Sequence, residues 1–532
     1  MSAPHPVQDG RKVVRVVFTA LLIDLLAFTM PLPLFPRLVE DFVRQEALDP
    51  SSSPTLLSRT MSLVRTLRSY LFAFASSTAV SAAASASSGS GGEGGDSRWD
   101  LTLLGGLLAS LFSFCQFLIS PYIGRLSDRY GRRTVLLVTM AGNVVSAVLW
   151  LVASRFEVYA LSRVVGGLSE GNVQLSIACI TDVTTPEERA RALALVGAAF
   201  SLAFTAGPSI GAYLSQRAFG PGSVVDVPGV GEVRLNAYAV PAAMTVVLLG
   251  LETAYLWARL PETRGWRTST GAGADSDNVK ADSTSSRTSP VDSSCAPSSS
   301  PRPLADPSSR LAHLSTTHLL FLFCFSGAEF TLCFLTHALF AFSNAQNGRL
   351  LGFVGLVSAA LSGGYVRRLK GTTAGSARLA QRGMWACAGA LAVLAVLPGL
   401  AAAEGGKGGG GRGTARALLW VAAALLAFVS ASVVTSLSAL ASAAASSSTS
   451  SSSSGTSSST STSSSSGAAL GTFRSRGQLG RALGPLAFTA LWWVAGPAVA
   501  YGVGAVAVLG VAGRMGGVRR EEERRERAGK SD

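Results

Sequence analysis

The sequence GRLSDRYGRR at residues 124–133 is a polar turn between two apolar stretches, each long enough to cross a bilayer. A turn this short forces the flanking helices to lie side by side and antiparallel. Its four arginines place the turn on the cytoplasmic side of a membrane, because loops rich in Lys and Arg stay on that side. The alternative is an ordinary basic loop that only anchors the topology. The residues that we expect to act as a gating loop are Gly124, Asp128, Arg129, Gly131, Arg132 and Arg133.

The composition indicates a membrane protein with many spans. Hydrophobic residues make up 48% of the 532 residues, charged residues make up 14%, and the mean hydropathy is +0.37. The net charge of +14 resides in short loops and in the tail 519–527, so we interpret it as a topology signal and expect no nucleic-acid partner. The six cysteines include no Cys-x-x-Cys pair, which predicts neither a disulfide framework nor a metal site.

Apolar windows of about 20 residues, the length that a helix needs to cross a bilayer, predict about twelve spans. Both termini are then cytoplasmic, and the fold class is an all-α membrane protein of two six-helix halves. The predicted spans are 13–36, 101–123, 134–153, 156–181, 190–214 and 236–260, followed by 317–342, 349–366, 383–403, 415–441, 470–494 and 497–516.

The chain divides into two helical halves, residues 1–260 and 317–516. Polar composition predicts that 261–316 is a disordered cytoplasmic linker and that 517–532 is a charged cytoplasmic tail. Low-complexity insertions interrupt each half, at about 76–95 and at 446–466, and we expect them to carry no chemistry. The stretch 63–83 is somewhat amphipathic and is predicted to lie at a membrane surface rather than to span it.

The two halves resemble a repeat. Asp24 in the first span and Glu329 in the seventh occupy matching depths, and Gly-Pro pairs recur in the fifth and eleventh spans as Gly207-Pro208 and Gly484-Pro485. Residues 364–368, after the eighth span, are an imperfect repeat of the turn at residues 124–133. Repeated halves around a central site are typical of transporters.

Asp24 and Glu329 are predicted to act in proton coupling. An ionised carboxylate at the bilayer centre costs several kcal/mol, so each must face a wet cavity, pair with another group or bind a proton. If substrate and proton compete for such a group, a proton gradient can drive substrate movement. The alternative is a static helix–helix hydrogen bond. His337 lies eight residues after Glu329 and either relays a proton or sits at the interface.

Charged residues in the fourth and eleventh spans extend this candidate cavity. Arg163, Gly167, Glu170 and Gly171 share one helix face, and we expect Arg163 to pair with either Glu170 or Asp24, as a functional or a static pair. Arg474 and Arg481 lie seven residues apart and either line an anion path or anchor the cytoplasmic helix end. For Arg474 we favour the anchor.

Small residues in the fifth span predict close packing and a kink. Gly197, Gly207, Pro208 and Gly211 form a small-xxx-small surface beside a proline where the halves meet, although packing alone also explains the pattern. Asp128 is expected to meet the positive N-terminus of a helix from the other half, the eleventh. Breaking that contact would change which side is open.

These motifs resemble those of the major facilitator superfamily. Residues 124–133 fill every fixed position of its loop pattern Gly-x-Leu-x-Asp-Arg-x-Gly-Arg-Arg/Lys, residues 163–167 look like its fourth-span motif, and residues 197–211 look like the fifth-span signature of proton-driven antiporters. Residues 22–36, 325–337 and 471–485 are similar to the eukaryotic tetracycline-transporter-like group. The resemblance implies a polyspecific carrier of organic anions and drugs, with Asp24, Arg163 and Asp128 matching motif residues of bacterial tetracycline antiporters.

The sequence therefore predicts a monomeric, proton-coupled secondary transporter of small organic solutes, at the plasma membrane or an internal membrane. A passive uniporter and a non-transporting receptor or scaffold remain alternatives. We expect no catalytic residues and no cofactor, because the four histidines show no metal-ligand or triad spacing and no phosphate-binding Gly-x4-Gly-Lys-Ser/Thr loop is present. The partners are the substrate, protons and the lipid bilayer.

Overall fold

The structure is a computed structural model. It describes residues 10–31, 34–48, 55–77, 93–215, 224–227, 231–234, 238–264, 307–342, 344–366, 368, 372–405, 413–451 and 466–528. Most of the predicted insertion at 76–95, residues 265–306 of the predicted linker and residues 452–465 of the serine tract lie outside these residues.

The first half of the chain is helical apart from one short hairpin. In chain order the helices are α1 (Gly10–Thr29), α2 (Phe35–Leu48), α3 (Leu56–Ser77), α4 (Glu93–Tyr130), α5 (Arg132–Leu151), α6 (Phe156–Ser169), α7 (Asn172–Val183), α8 (Pro186–Ser215) and α9 (Ala239–Arg259). Between α8 and α9 the antiparallel strands β1 (Val224–Val227) and β2 (Gly231–Arg234) pair, with Val225 opposite Val233.

The second half continues the helical pattern. Its helices are α10 (Pro307–Phe340), α11 (Asn344–Leu361) with a π-helical turn at Ser362–Val366, α12 (Thr373–Gly405), α13 (Gly413–Ser451) and α14 (Ser466–Ala528). Helix α14 bends at Gly496, which has a φ of 82° and precedes Pro497. That conformation favours glycine, so the bend divides α14 into the eleventh and twelfth predicted spans.

Local sequence signals explain several helix starts. Pro186 and Pro307 begin α8 and α10, the position where a missing N–H costs nothing. Thr55 and Thr372 cap α3 and α12 by accepting hydrogen bonds from the backbone N–H groups of Ser58 (3.1 Å) and Gly375 (3.0 Å).

Nine helices of the described residues are long and apolar enough to cross a membrane. The other three predicted spans correspond to α1, the pair α6 and α7, and the first part of α14. These segments fall short because α1 carries four charged residues, α6 and α7 are separated by a break, and the start of α14 carries Arg474, Arg476 and Arg481. Of the predicted site residues, Asp24, Arg163, Glu170 and Arg481 lie on these three segments, whereas Glu329 and His337 lie on α10, which is apolar enough to span.

Equivalent helices pack alike in the two halves. A Cβ added at Gly207 or Gly211 of α8 would clash with Thr29 or with the backbone of Met30, so α8 packs closely on α1. A Cβ at Gly484 of α14 would clash with the backbone of α10 at Phe323. Pro208 and Pro485 follow these glycines inside their helices. This correspondence agrees with the predicted repeat.

The first span differs from its predicted bounds. Helix α1 ends at Thr29, well short of residue 36, because Pro31 and Pro33 cannot continue a helix, whereas Pro36 lies in the first turn of the next helix, where proline is tolerated. The amphipathic helix α2 follows, and with α3 it covers the end of the first half that lies away from the arginine turn. Leu38 and Phe42 of α2 are buried there against Trp150, Phe156 and Tyr159.

The two halves meet along α4 and α14 and along α8, α11 and α13. Ser475 of α14 donates a hydrogen bond to the carbonyl of Phe117 (2.7 Å), and the hydroxyls of Ser201 and Ser358 lie 2.9 Å apart. A Cβ at Gly197 would clash with Thr435 of α13. We call the end of the bundle that holds residues 124–133 the basic side.

Candidate functional site

Asp24 lies at the centre of the first half. Its side chain is 4% exposed, and one carboxylate oxygen accepts a hydrogen bond from Asn172 (2.9 Å). It also interacts electrostatically with Glu170 and, across the boundary between the halves, with Arg474. The predicted first-span carboxylate is therefore buried among polar partners from α7, from α14 and from the segment between α6 and α7.

Glu170 occupies the break in the fourth span. Its backbone is extended, with φ −75° and ψ 91°, so α6 ends before it and α7 begins two residues later at Asn172. Asn143 of α5 donates a hydrogen bond to its carboxylate (3.2 Å). The break, absent from the continuous span predicted for 156–181, brings Glu170 and Asn172 together beside Asp24. Interrupted helices at mid-membrane are common at transporter sites.

Arg474 comes from the second half and interacts electrostatically with Glu170 and Asp24. Its Nε is buried without a hydrogen-bond partner, and the structure gives Arg474 no ion pair within the described part of the chain. Sequence analysis favoured a helix-end anchor for this residue. The structure corrects that interpretation, because α14 starts at Ser466 and its first two turns carry Arg474 into the interior.

Glu252 of α9 is a further carboxylate near this site and is buried like Asp24, but sequence analysis did not single it out. It is 2% exposed and interacts electrostatically with Asp24 and Glu170. The one sequence feature that could have identified Glu252 is that it is an acidic residue within an apolar helix. Asp24, Glu170, Glu252 and Arg474 are called the central cluster below.

Glu329 and Arg481 form an ion pair, with 3.6 Å between the carboxylate and the guanidinium. Both side chains are more than a third exposed, so this pair lies outside the buried cluster. His337, the predicted relay, is exposed and its Nδ1 lies 3.2 Å from the carbonyl oxygen of Phe342. The structure does not bring His337 into contact with Glu329.

His318, not His337, is the histidine close to the central cluster. Its ring is buried and stacks on Phe473, with centroids 4.4 Å apart, next to Arg474 in the sequence. It interacts electrostatically with Arg474 and Arg481. Sequence spacing could not have found it, because the contact joins two different spans.

Arg163 does not form the predicted ion pair within the described residues. Its guanidinium lies over the ring of Tyr159, 5.2 Å from the centroid, and its Nε is 3.4 Å from the hydroxyl of Ser162. The carboxylates of Asp24 and Glu170 instead bond to Asn172 and Asn143. The two predicted partners are thus occupied by amide donors.

The gating loop contacts the other half directly. Asp128 accepts hydrogen bonds from the backbone N–H groups of Gly467 (3.1 Å) and Ala468 (2.8 Å), in the first turn of α14. Arg132 forms ion pairs with Asp128 (2.6 Å) and Asp182 (3.0 Å), and its guanidinium also donates to Ser127. A mostly buried guanidinium therefore fixes the carboxylate that joins the halves.

The loop is also held by Glu262, which follows α9. Its carboxylate accepts hydrogen bonds from the backbone N–H groups of Arg132 (2.8 Å) and Arg133 (3.2 Å), so it caps the start of α5. Gly131 immediately before has a φ of 99°, which favours glycine. The guanidinium of Arg264 donates to the carbonyl of Arg129 (2.6 Å).

Glycines allow α4 and α14 to approach at the basic side. A Cβ at Gly124 would clash with the carbonyl oxygen of Gly467, and one at Gly471 would lie 2.6 Å from the carbonyl oxygen of Ser120. The helices therefore touch through their backbones next to Asp128. Within the described residues no group of three or more His, Cys, Asp or Glu side chains is placed to hold a metal ion.

Comparison with known proteins agrees with this architecture. The profile of the Major Facilitator Superfamily matches residues 17–471. The chain is 32% identical over 507 residues to the bovine (Bos taurus) major facilitator superfamily domain-containing protein 10, covering 94% of this chain and 91% of the relative.

Two further matches concern solved and bacterial relatives. The crystal structure of the human organic anion transporter MFSD10 (TETRAN) superposes with a TM-score of 0.67 and 27% identity, covering 96% of this chain and all of that one. The Escherichia coli class C tetracycline resistance protein is 35% identical over 109 residues, which is 20% of this chain and 28% of the relative.

Proposed function

Since this chain belongs to the major facilitator superfamily and is a multi-pass membrane transporter, we propose that it moves small organic anions across the membrane and that this movement is coupled to the movement of protons. Transport proceeds by alternating access of a central site between the two halves. The observation that carries the proposal is the position of Arg474, which extends from the second half toward buried acids of the first.

Arg474 supports an anionic substrate. A guanidinium presents several donors in a planar fork that fits a carboxylate in two-point contact. The buried Nε of Arg474 has no hydrogen-bond partner, and no ion pair to it occurs in the described part of the chain. A small organic anion that enters between the halves would provide both the charge and the acceptors. The human relative whose crystal structure superposes on this chain is named an organic anion transporter, which favours the same substrate class.

The surrounding acids support coupling to protons. Asp24 and Glu170 act on Arg474 from the first half, so a bound anion would compete with them for one positive charge. Like charges in a medium of low dielectric constant repel strongly, and protonation of the acids relieves this repulsion. Substrate binding and protonation would then be linked, so a proton gradient can drive movement of the anion.

The contact at the basic side supports alternating access. The hydrogen bonds of Asp128 to Gly467 and Ala468 join the two halves at the basic side. Because alternating access requires this side to open and close, we expect these bonds to break and form again during each cycle. By the positive-inside rule we assign the basic side to the cytoplasm. Arg11 near the start of the described chain pairs with Glu188 at the basic end of α8, which supports a cytoplasmic N-terminus.

The complete cluster lies within one chain, so we propose that a monomer transports. A lipid bilayer, protons and the substrate are the required partners, and nucleic acid has no part in the proposed cycle.

The test is uptake into proteoliposomes of two probes, the anionic dye fluorescein and tetracycline, with and without an imposed pH gradient. We expect gradient-dependent accumulation of fluorescein, and a loss of about 10- to 100-fold in Arg474→Gln, the effect of removing a charged hydrogen-bond partner. Arg416→Gln, at an exposed arginine of α13, is the matched control and should transport normally.

The outcomes separate the alternatives. A fluorescein flux that is the same with and without the pH gradient would indicate a passive uniporter. No flux of either probe above empty vesicles would contradict transport of these probes and favour a receptor or scaffold. Uptake of tetracycline without uptake of fluorescein would overturn the anion assignment.

A further inference from the structure

Glu252 has no role in the mechanism proposed above, yet it is among the most buried charged residues described in the structure. It lies in α9, three turns after the start of that helix, and is 2% exposed. One carboxylate oxygen, Oε2, is buried without a hydrogen-bond partner. An ionised carboxylate in such a place is strongly disfavoured, whereas a protonated one is tolerated.

The groups that face Glu252 are acids. Asp24 of α1 and Glu170 at the break of the fourth span interact with it electrostatically. Helices α1, α5 and α8 pack on α9. Their other charged residues lie near the ends of these helices that are at the basic side. Arg474 interacts with Asp24 and Glu170 and does not act appreciably on Glu252.

The charge balance of the central cluster then depends on Glu252. Asp24 and Glu170 against Arg474 leave one negative charge, which a single proton neutralises. With Glu252 the cluster has three carboxylates against one guanidinium, and two protons are needed. We infer that Glu252 is a second proton-binding residue of the transport cycle, so that the cycle moves one proton more per substrate than the Asp24–Glu170–Arg474 group alone would move.

A neighbouring residue shows what a purely structural polar group looks like in the same helix. Thr245 is also buried on α9, seven residues before Glu252 and therefore on nearly the same face, but its hydroxyl donates to the carbonyl of Pro241 (3.0 Å). Glu252 lacks such a bond at Oε2. The contrast points to a group that exchanges a proton rather than one that fixes helix packing.

The inference rests on the proposed function for its stoichiometry, but proton binding itself can be measured without any substrate. Infrared spectra of the full-length protein in lipid nanodiscs, recorded during a pH titration, contain the carbonyl band of protonated carboxylic acids. We expect Glu252→Gln to remove part of this band at neutral pH, and Glu252→Asp and Thr245→Val to retain it. An unchanged band in a folded Glu252→Gln protein would overturn the inference.

Transport then tests the number of protons. In proteoliposomes, the fluorescein gradient that just balances an imposed pH gradient gives the proton-to-substrate ratio. We expect this ratio to fall by one in Glu252→Gln and to be unchanged in Glu252→Asp and Thr245→Val. An unchanged ratio in Glu252→Gln would contradict the inference while leaving the proposed proton coupling intact. Absence of any pH dependence in the wild type would contradict the proposed proton coupling, and the infrared titration would still decide whether Glu252 binds a proton.

Discussion

The carboxylate of Asp128 lies 2.8 Å from the backbone nitrogen of Ala468, more than 300 residues later in the chain. The same carboxylate accepts a second bond from Gly467, so it caps the first turn of α14 from the opposite half. A helix N-terminus carries partial positive charge and unsatisfied N–H groups, which a carboxylate matches in both respects. The closed state of the basic side therefore depends on one side chain that can be altered without touching the central cluster.

We expect Asp128→Asn to shift the protein toward opening at the basic side. The amide retains one acceptor but loses the charge that interacts with the helix N-terminus, a loss of about 0.3–2 kcal/mol. That energy corresponds to a change of roughly 2- to 30-fold in the ratio of closed to open forms. Spin-label distances between the basic ends of α4 and α14 would measure the shift.

The matched control is Glu157→Gln. Glu157 accepts a backbone hydrogen bond from Leu56 (3.2 Å) at the end of the first half away from the basic side, and its substitution removes the same charge. It should leave the distance distribution unchanged. An equal shift in both variants would mean that net charge, not the Asp128 contact, controls the equilibrium.

Close backbone packing gives a second prediction at the same interface. Gly124→Ala should impair closure and transport, because the added Cβ would overlap the carbonyl oxygen of Gly467. Gly250→Ala in α9 is the control, since a Cβ there meets no atom within 4 Å. It should be neutral or stabilise its helix by up to about 1 kcal/mol. Uptake rate and thermal stability of both variants test the pair, and equal uptake would contradict the prediction.

The membrane-spanning helices could be predicted from sequence because the prediction needs only the length of each apolar segment. The all-α membrane class is confirmed by the family match and the structure. The bounds were least accurate where prolines or polar residues interrupt an apolar run, as after Thr29 and at Glu170. A hydropathy window averages over such breaks. The hairpin of β1 and β2 was missed because it is too short to show a clear alternation.

The central cluster was only partly predictable because its members come from three separate helices and from the break between α6 and α7. Asp24 and Glu170 stood out as acids in apolar spans, and Glu252 carried the same signal without a motif around it. Arg474 was assigned to the helix end because the preceding serine-rich sequence conceals where α14 begins. The amide donors Asn143 and Asn172, which replace Arg163 as partners of the acids, are identifiable only from packing.

The pair of Glu329 and Arg481 is expected to affect substrate affinity more than stability. At 3.6 Å and more than a third exposed, such a pair contributes about 0–1 kcal/mol. Glu329→Gln would free the Arg481 guanidinium for an incoming anion, so we expect the KM for fluorescein to fall by up to about 5-fold. The double variant Glu329→Gln with Arg481→Gln should not show this lower KM. A KM that stays low in the double variant would contradict a role for Arg481 in the anion path.

A buried ion pair connects the end of α14 to the start of α10, in regions that sequence analysis assigned to a polar tail and a linker. Arg310 is 8% exposed and Glu522 is 2% exposed, and their side chains are in contact. Removing one partner leaves a buried charge unpaired, so Glu522→Gln and Arg310→Met should each destabilise the protein, by about 3–5 kcal/mol if burial is complete. The double variant Arg310→Met with Glu522→Leu should recover most of the loss, because two apolar side chains leave no unpaired charge.

Thermal unfolding in detergent measures the stability of the two single variants and of the double variant. The control is Arg525→Gln, which disrupts the more exposed pair with Glu521 and should have a small effect. Additive losses in the double variant would show that the two residues act independently.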